Sequence, residues 1–281
     1  MNRNNYAGFV NLIIPLALAA LLIKSLGSKI SNRQTQRSIS VFVKNILINL
    51  ESSLQRYILL STSIILMAAG LIYSTSRGGL ISLICSTFIF FIMLRLGKAN
   101  VSKGRLTQIF VATTLVIICI TILWSNVNPL KQRLNKLANL DYNLNHSRAE
   151  AIKSSFRIAQ DFPIFGIGLG AFPNLYYRYR SPQISNAAYT ASHCDYIQLV
   201  SETGIIGFGF FIISISGYII FVVRRHMRES NAKICTMTAG VLAAISSLLI
   251  HSFVDFNAQI PANALIASIL FGTVSVIQNR S

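Results

Sequence analysis

Long uncharged apolar runs recur along this 281-residue chain and leave few choices of fold. A helix crossing a bilayer needs roughly 20 mostly apolar residues, because each adds about 1.5 Å across a hydrocarbon core of about 30 Å. Seven runs meet or approach that length: Ala7 to Ile23, Tyr57 to Thr75, Gly79 to Leu94, Leu106 to Trp124, Gly204 to Val223, Ile234 to Ile250 and Ala262 to Ile277. Lipid offers backbone amides no hydrogen-bond partner, so the spans must be helices. The expected fold is all-α: a polytopic transmembrane helical bundle of about seven spans, one domain over 1–281, with a large loop at 125–203 that itself contains helices. Only 12% of the residues are charged, against roughly 25% in soluble domains. The first run follows a single Arg3, lacks a small-residue cleavage site and precedes further spans, so it reads as a membrane helix and not a signal peptide.

Lys and Arg total 25 against 8 Asp and Glu. Such an excess fits nucleic acid, an anionic membrane or a phosphate-bearing substrate, and its placement decides. Cations gather after the first span (Lys24, Lys29, Arg33, Arg37, Lys44, Arg56), after the third (Arg95, Lys98, Lys103, Arg105) and after the fifth (Arg224, Arg225, Arg228, Lys233), with Arg280 at the C-terminus. Alternate loops share one side, and cation-rich short loops face the cytoplasm. The N-terminus is therefore expected outside and the C-terminus inside, and nucleic acid is not needed to explain the charge. The segment Ser40 to Gln55, broken by Lys44 and Glu51, reads as a surface-lying amphipathic helix. Cys85, Cys119 and Cys235 lie in or beside apolar runs and only Cys194 in a polar one, which gives neither a disulfide framework nor a zinc ribbon.

This topology sends three features to the outer face: the turn Ser76-Arg77-Gly78-Gly79, the segment Ser125 to Thr203, and the turn His251 to Pro261. Arg77 interrupts two spans through a turn too short to carry it far from the membrane; it either snorkels to lipid phosphate or binds a functional partner. Ser147-Arg148-Ala149-Glu150 matches a capping box and predicts a helix starting near Arg148. At about 100° per residue, Arg148 shares a face with Ile152, Phe156 and Ala159, while Lys153, Arg157 and Gln160 turn away. That face is expected to be buried, with Arg148 either covering apolar surface or joining the helix N-terminus in a pyrophosphate site. The helix should stop near Asp161-Phe162-Pro163. The following Gly166-Ile167-Gly168-Leu169-Gly170 reads either as a bend packed on membrane helices or as backbone that a ligand approaches closely. His193, just before a helix entering the membrane, is either structural or a proton acceptor for a hydroxyl nucleophile. A metal site with His146 or Cys194 lacks ligand spacing. His251 and Asp255, four apart, fit a hydrogen-bonded pair or plain local structure.

These segments, in this order, resemble the O-antigen ligase and polymerase family of bacterial envelope enzymes. The resemblance is carried by Asn2-Arg3-Asn4-Asn5-Tyr6-Ala7-Gly8, by Ser76-Arg77-Gly78-Gly79, by Arg148 with its helix and Pro163 to Gly170, by His193 to Gly207, and by His251 to Asn257. It implies a metal-independent, inverting glycosyltransferase of the bacterial inner membrane, without a cofactor. Its donor would be an undecaprenyl-diphosphate-linked glycan and its acceptor a lipid A core or a growing glycan, joined at the periplasmic face. It implies that Arg77 and Arg148 bind the diphosphate and that His193 is the base, with Asp195, Glu202, His251 and Asp255 in possible support. Two departures stand out. The family usually has around ten to twelve spans, so several N-terminal helices are expected to be missing, as from a truncated or split gene. Cys194 replaces the Asn that is commoner beside the histidine.

Two other classes fit a membrane chain with arginines at its spans. A transporter or flippase would show internal repeats and helix breaks near the midplane; no repeat is visible, and the polar groups collect on one face. A non-catalytic partner in polysaccharide assembly fits a shortened chain.

Overall fold

The structure, a computed structural model, describes residues 2–27, 58–98, 148–180 and 190–279. Among these, every regular element is helical: α1 (Arg3–Gly27), α2 (Ile58–Tyr73), α3 (Arg77–Leu96), α4 (148–161), α5 (Phe172–Tyr179), α6 (Asp195–His226), α7 (Ala232–His251), a 3-10 turn (Asn257–Gln259) and α8 (Pro261–Asn279). Four are long and apolar enough to cross a membrane, namely Arg3–Lys24, Arg77–Leu96, Asp195–His226 and Ala232–His251, and Ile58–Tyr73 and Pro261–Val276 are shorter apolar helices. Six of the seven expected runs thus fall on helices. The seventh, Leu106 to Trp124, lies outside the described residues, as do Ser40 to Gln55, His146 and Ser147.

The chain divides into two units. The first comprises Met1–Leu106, Val222–Ser247 and Leu265–Ser281. Small residues set its helix contacts: a Cβ on Gly79 would stand 2.6 Å from Ala7 Cβ, and one on Gly240 2.6 Å from Ala19 Cβ. Between helices in lipid, where apolar burial gives no preference for protein over tails, close packing and hydrogen bonds supply the attraction. Asn11, 1% exposed, donates through Nδ2 to Gly79 O at 2.7 Å and Ser82 Oγ at 2.8 Å, tying α1 to α3. Ser76 caps α3 by accepting from the Gly79 amide at 3.2 Å, and Arg77 follows as its first, exposed residue.

The second unit comprises Thr107–Phe221 and Leu248–Ala264. Its core joins Ala151 and Ile158 of α4 to Phe172 and Tyr176 of α5, with Ile167, Leu175 and Tyr179 packed around them. Ser154 donates to Tyr179 O at 3.2 Å, and Tyr179 donates its hydroxyl to Asp161. The stop of α4 agrees with expectation, but its buried face does not. Glu150, Ala151, Ser154, Ser155 and Ile158 face inward, whereas Ile152 and Phe156 are exposed and Arg148 is only partly buried. Small side chains beside Ile158 let α5 pack closely on that side, and Ile152 and Phe156 are turned outward.

Helix α6 begins at Asp195, just after His193 as expected, and joins the apolar run that starts at Gly204 through a non-helical kink at that glycine (φ 66°, ψ −174°). The kink receives the glycine-rich turn. Ile167 N donates to Ser201 O at 3.0 Å and Gly168 N to Glu202 O at 2.9 Å, while Ile205 N donates to Pro163 O at 2.8 Å. Gly166 lies so close that a Cβ would come 2.4 Å from the Glu202 carbonyl. Of the two readings of the turn, the packed bend describes this geometry, since backbone and a carboxylate of the chain already occupy its amides.

Candidate functional site

The start of α6 and the turn between α7 and α8 meet within the second unit, and the sequence explains how they lock. Asp195 N donates to Ser252 O at 3.0 Å. The Asp195 carboxylate accepts from Ala258 N and from Gln259 Nε2, each at 2.9 Å. Ser192 N donates to Gln198 Oε1 at 2.9 Å, and Ser192 Oγ bonds to Cys194 O at 2.8 Å. These bonds hold His193 between them with a left-handed backbone, φ 59°. That conformation is uncommon for a residue with a Cβ, and it is maintained here because the flanking backbone is fixed on both sides.

His193 Nδ1 lies 3.1 Å from Asp255 Oδ1, with the histidine side chain 13% exposed and the aspartate 1%. The Phe256 ring stands edge-on to the imidazole at 5.1 Å. Phe256 N also donates to Asp255 Oδ1, at 2.9 Å. Burial drives the Asp255 carboxyl upward in pKa, but the hydrogen bonds from His193 and Phe256 and the charges of His193 and Arg148 outweigh it and hold the group below its usual value. An ionised carboxylate can only accept, so a neutral His193 carries its proton on Nδ1 and its lone pair on Nε2. Arg148, at the start of α4, is near enough to act on Asp255 electrostatically.

A carboxyl depressed in the folded state stabilises the fold above its unfolded pKa of about 3.9, and that contribution disappears as pH falls through the folded value. Asp255→Asn is therefore expected to flatten the acid limb of thermal stability below about pH 4, followed on the purified protein in detergent. An acid limb identical to that of the parent would contradict the pairing.

His251 does not pair with Asp255, contrary to one expectation from their spacing. Helix α7 ends at His251, so a rule for neighbours four apart on a helix no longer applies. Asp255 N donates to His251 O at 3.1 Å, the Asp255 side chain turns to His193, and His251 Nδ1 finds no hydrogen-bond partner among the described residues. Glu202, 6% exposed, accepts from Gly170 N at 2.9 Å, Phe172 N at 3.3 Å and Gln198 Nε2 at 3.1 Å. Its carboxylate ties the glycine-rich turn to α6, and that of Asp195 ties α6 to the α7–α8 turn. Gln198 and Gln259, which bond each other at 3.2 Å, complete this network, and only the four-residue spacing of Gln198 and Glu202 could have signalled either glutamine. Arg148, His193, Asp195, Glu202, His251 and Asp255 belong to the second unit and Arg77 to the first. Among the described residues no three His, Cys, Asp or Glu side chains form a group suited to a metal ion.

A family model described as O-Antigen ligase matches residues 62–212, more than half of the 281-residue chain. The matched stretch contains Arg77, Arg148 and His193 and stops before Asp255. No curated protein matches the chain.

Proposed function

The chain belongs to the O-antigen ligase family, and from that premise we propose that it transfers a glycan, with inversion, from undecaprenyl diphosphate to a hydroxyl of a lipid A core or of a growing glycan. The acceptor oxygen attacks the anomeric carbon as the bond from that carbon to the diphosphate oxygen breaks. The hydroxyl proton passes to His193 Nε2, and undecaprenyl diphosphate leaves. Asp255 keeps the imidazole in the tautomer that accepts on Nε2 and balances the imidazolium that forms. Arg148 stabilises the charge growing on the departing diphosphate, where a fixed cation in a water-poor site acts strongly. Arg77 is proposed as a diphosphate ligand on the resemblance alone, and no metal ion takes part. The reaction is assigned to the periplasmic face of the bacterial inner membrane, with the N-terminus periplasmic and the C-terminus cytoplasmic, on the distribution of cations between loops.

One observation carries this reading: the buried carboxylate of Asp255 at 3.1 Å from the imidazole of His193, with the Arg148 charge acting on the same carboxylate. The test joins the purified protein, in lipid, to an undecaprenyl-diphosphate glycan with either acceptor. Arg148→Ala is expected to reduce transfer by about 10²-fold or more, and chelator should leave the rate unchanged. Chelator-sensitive transfer, or full activity in Arg148→Ala, would overturn the mechanism. Movement of the lipid-linked glycan across the bilayer without any transfer would favour a flippase.

A further inference from the structure

The turn that follows α4 exposes its largest apolar side chains. Phe165 is 76% exposed and Leu169 77%, with Ile164 at 54% and Phe162 at 43%. From Phe162 to Tyr177 no residue carries a charge. Isolated exposed apolar residues are ordinary, but a contiguous uncharged group of them marks a surface that meets something other than water.

Two independent observations identify what it meets. The first is continuity. Ile205 N and Ile206 N, the amides released by the kink at Gly204, donate to Pro163 O and Ile164 O at 2.8 and 3.4 Å. The exposed turn is thereby fastened to the head of α6, where Ile205 (68%) and Ile206 (43%) extend the apolar surface to Phe210 (69%) and Ile213 (70%). Only 6% of the most apolar window of α6 is fully buried inside the protein, so this helix leaves a broad apolar surface for lipid. The second is that the turn satisfies much of its backbone within the protein. Gly166 N bonds to Phe162 O, Ile167 N to Ser201 O, Gly168 N to Glu202 O and Ala171 N to Gly168 O. The Glu202 carboxylate takes Gly170 N and Phe172 N. A surface loop in water has no need of such closure, whereas irregular backbone near hydrocarbon is tolerated only where its polar groups are satisfied by protein.

We infer that the turn 162–169 inserts into the acyl boundary of the leaflet that α6 enters at its Asp195 end, with Phe165 and Leu169 as the deepest side chains. Its partner is bilayer lipid. The turn therefore anchors α4 and α5 at the membrane surface, and Asp161 and Arg178, the nearest charges on either side in sequence, stay at the level of the head groups. This explains why Ile152 and Phe156 of α4 face outward, since an interfacial element directs its apolar side to lipid.

Tryptophan fluorescence tests the inference in the full chain. The sequence has a single tryptophan, Trp124, which Trp124→Phe removes. In that background Phe165→Trp and Leu169→Trp are each reconstituted into vesicles of ordinary phospholipid and of phospholipid brominated near the top of the acyl chain. Ile213→Trp serves as the lipid-facing reference and Ser230→Trp, in the exposed polar link between α6 and α7, as the aqueous one. Quenching by bromolipid close to that of Ile213→Trp, with protection from dissolved iodide, is the expected result at either position, so failure of one variant to fold leaves the other to decide. Emission quenched by iodide and untouched by bromolipid would overturn the inference. Protection from both quenchers would also overturn it, because protein would then cover the turn. Glycosyl transfer is not read in this experiment, so its outcome is separate from that of the transfer assay.

Discussion

His193→Ala is expected to lower glycosyl transfer by about 10²–10⁴-fold, the usual contribution of a positioned general base. The protein should still fold, because the turn around His193 is held by bonds of Ser192, Asp195 and Gln198 that the imidazole does not make. It should also keep its affinity for the lipid-linked donor, whose diphosphate is assigned to the arginines. The diagnostic pattern is therefore a fall in kcat with donor binding retained. Asp255→Asn supplies the companion result. An asparagine at that position can accept from Nδ1 but carries no charge to balance an imidazolium, and its amide can equally turn a donor towards the ring. A smaller loss is expected, again in kcat rather than KM, with partial recovery in Asp255→Glu, whose longer carboxylate restores the charge at a shifted position. A purely structural aspartate would instead lose folded protein in both variants without this rescue. Transfer by His193→Ala within a few-fold of the parent would remove the base from the mechanism.

The two kinds of result in this molecule, fold and site, were legible to different degrees for physical reasons. The runs Ala7 to Ile23 and Gly79 to Leu94 located α1 and α3 to within a few residues, because the solvent for a span is hydrocarbon and its length is fixed by bilayer thickness. For α6 the apolar run showed only part of the helix. Its first turn is polar and anchored by long-range bonds from Asp195, and hydropathy registers only the portion beyond Gly204. His193 stood out as a candidate, but its partner did not. Asp255 is 62 residues away, and the local helical rule pointed to His251 on a helix that had already ended. The buried face of α4 was not legible, because the helical period reports only which residues share a side. In water the apolar side turns inward, whereas here Ala151, Ser154, Ser155 and Ile158 pack inward and Ile152 and Phe156 do not. In an element resting on lipid that preference is inverted.

Gly204→Ala is expected to destabilise the protein by about 3 kcal/mol or more, among the largest effects available to a single methyl group. Two costs act together. The backbone at φ 66° and ψ −174° lies in a region almost reserved for glycine. The new Cβ would also meet backbone, at 2.1 Å from Ile164 O and 2.6 Å from Phe165 N, so no side-chain rotation relieves it. The turn 162–165 would have to move away from α6, and the bonds from Ile205 N and Ile206 N to it would lengthen or break. Gly166→Ala opposes the same contact from the other side, with a Cβ 2.4 Å from Glu202 C and O and a φ of 67°. Since both substitutions separate the same two segments, the double variant should lose less than the sum of the singles. Gly209→Ala, in the same helix with no atom within 4 Å of its Cβ, is the control and should be neutral or gain up to about 1 kcal/mol from helix propensity. Thermal unfolding of the three single variants and the double variant in one detergent decides the matter. If Gly204→Ala melts together with Gly209→Ala, the kink does not carry the strain ascribed to it, and the turn is not held on α6 by this contact.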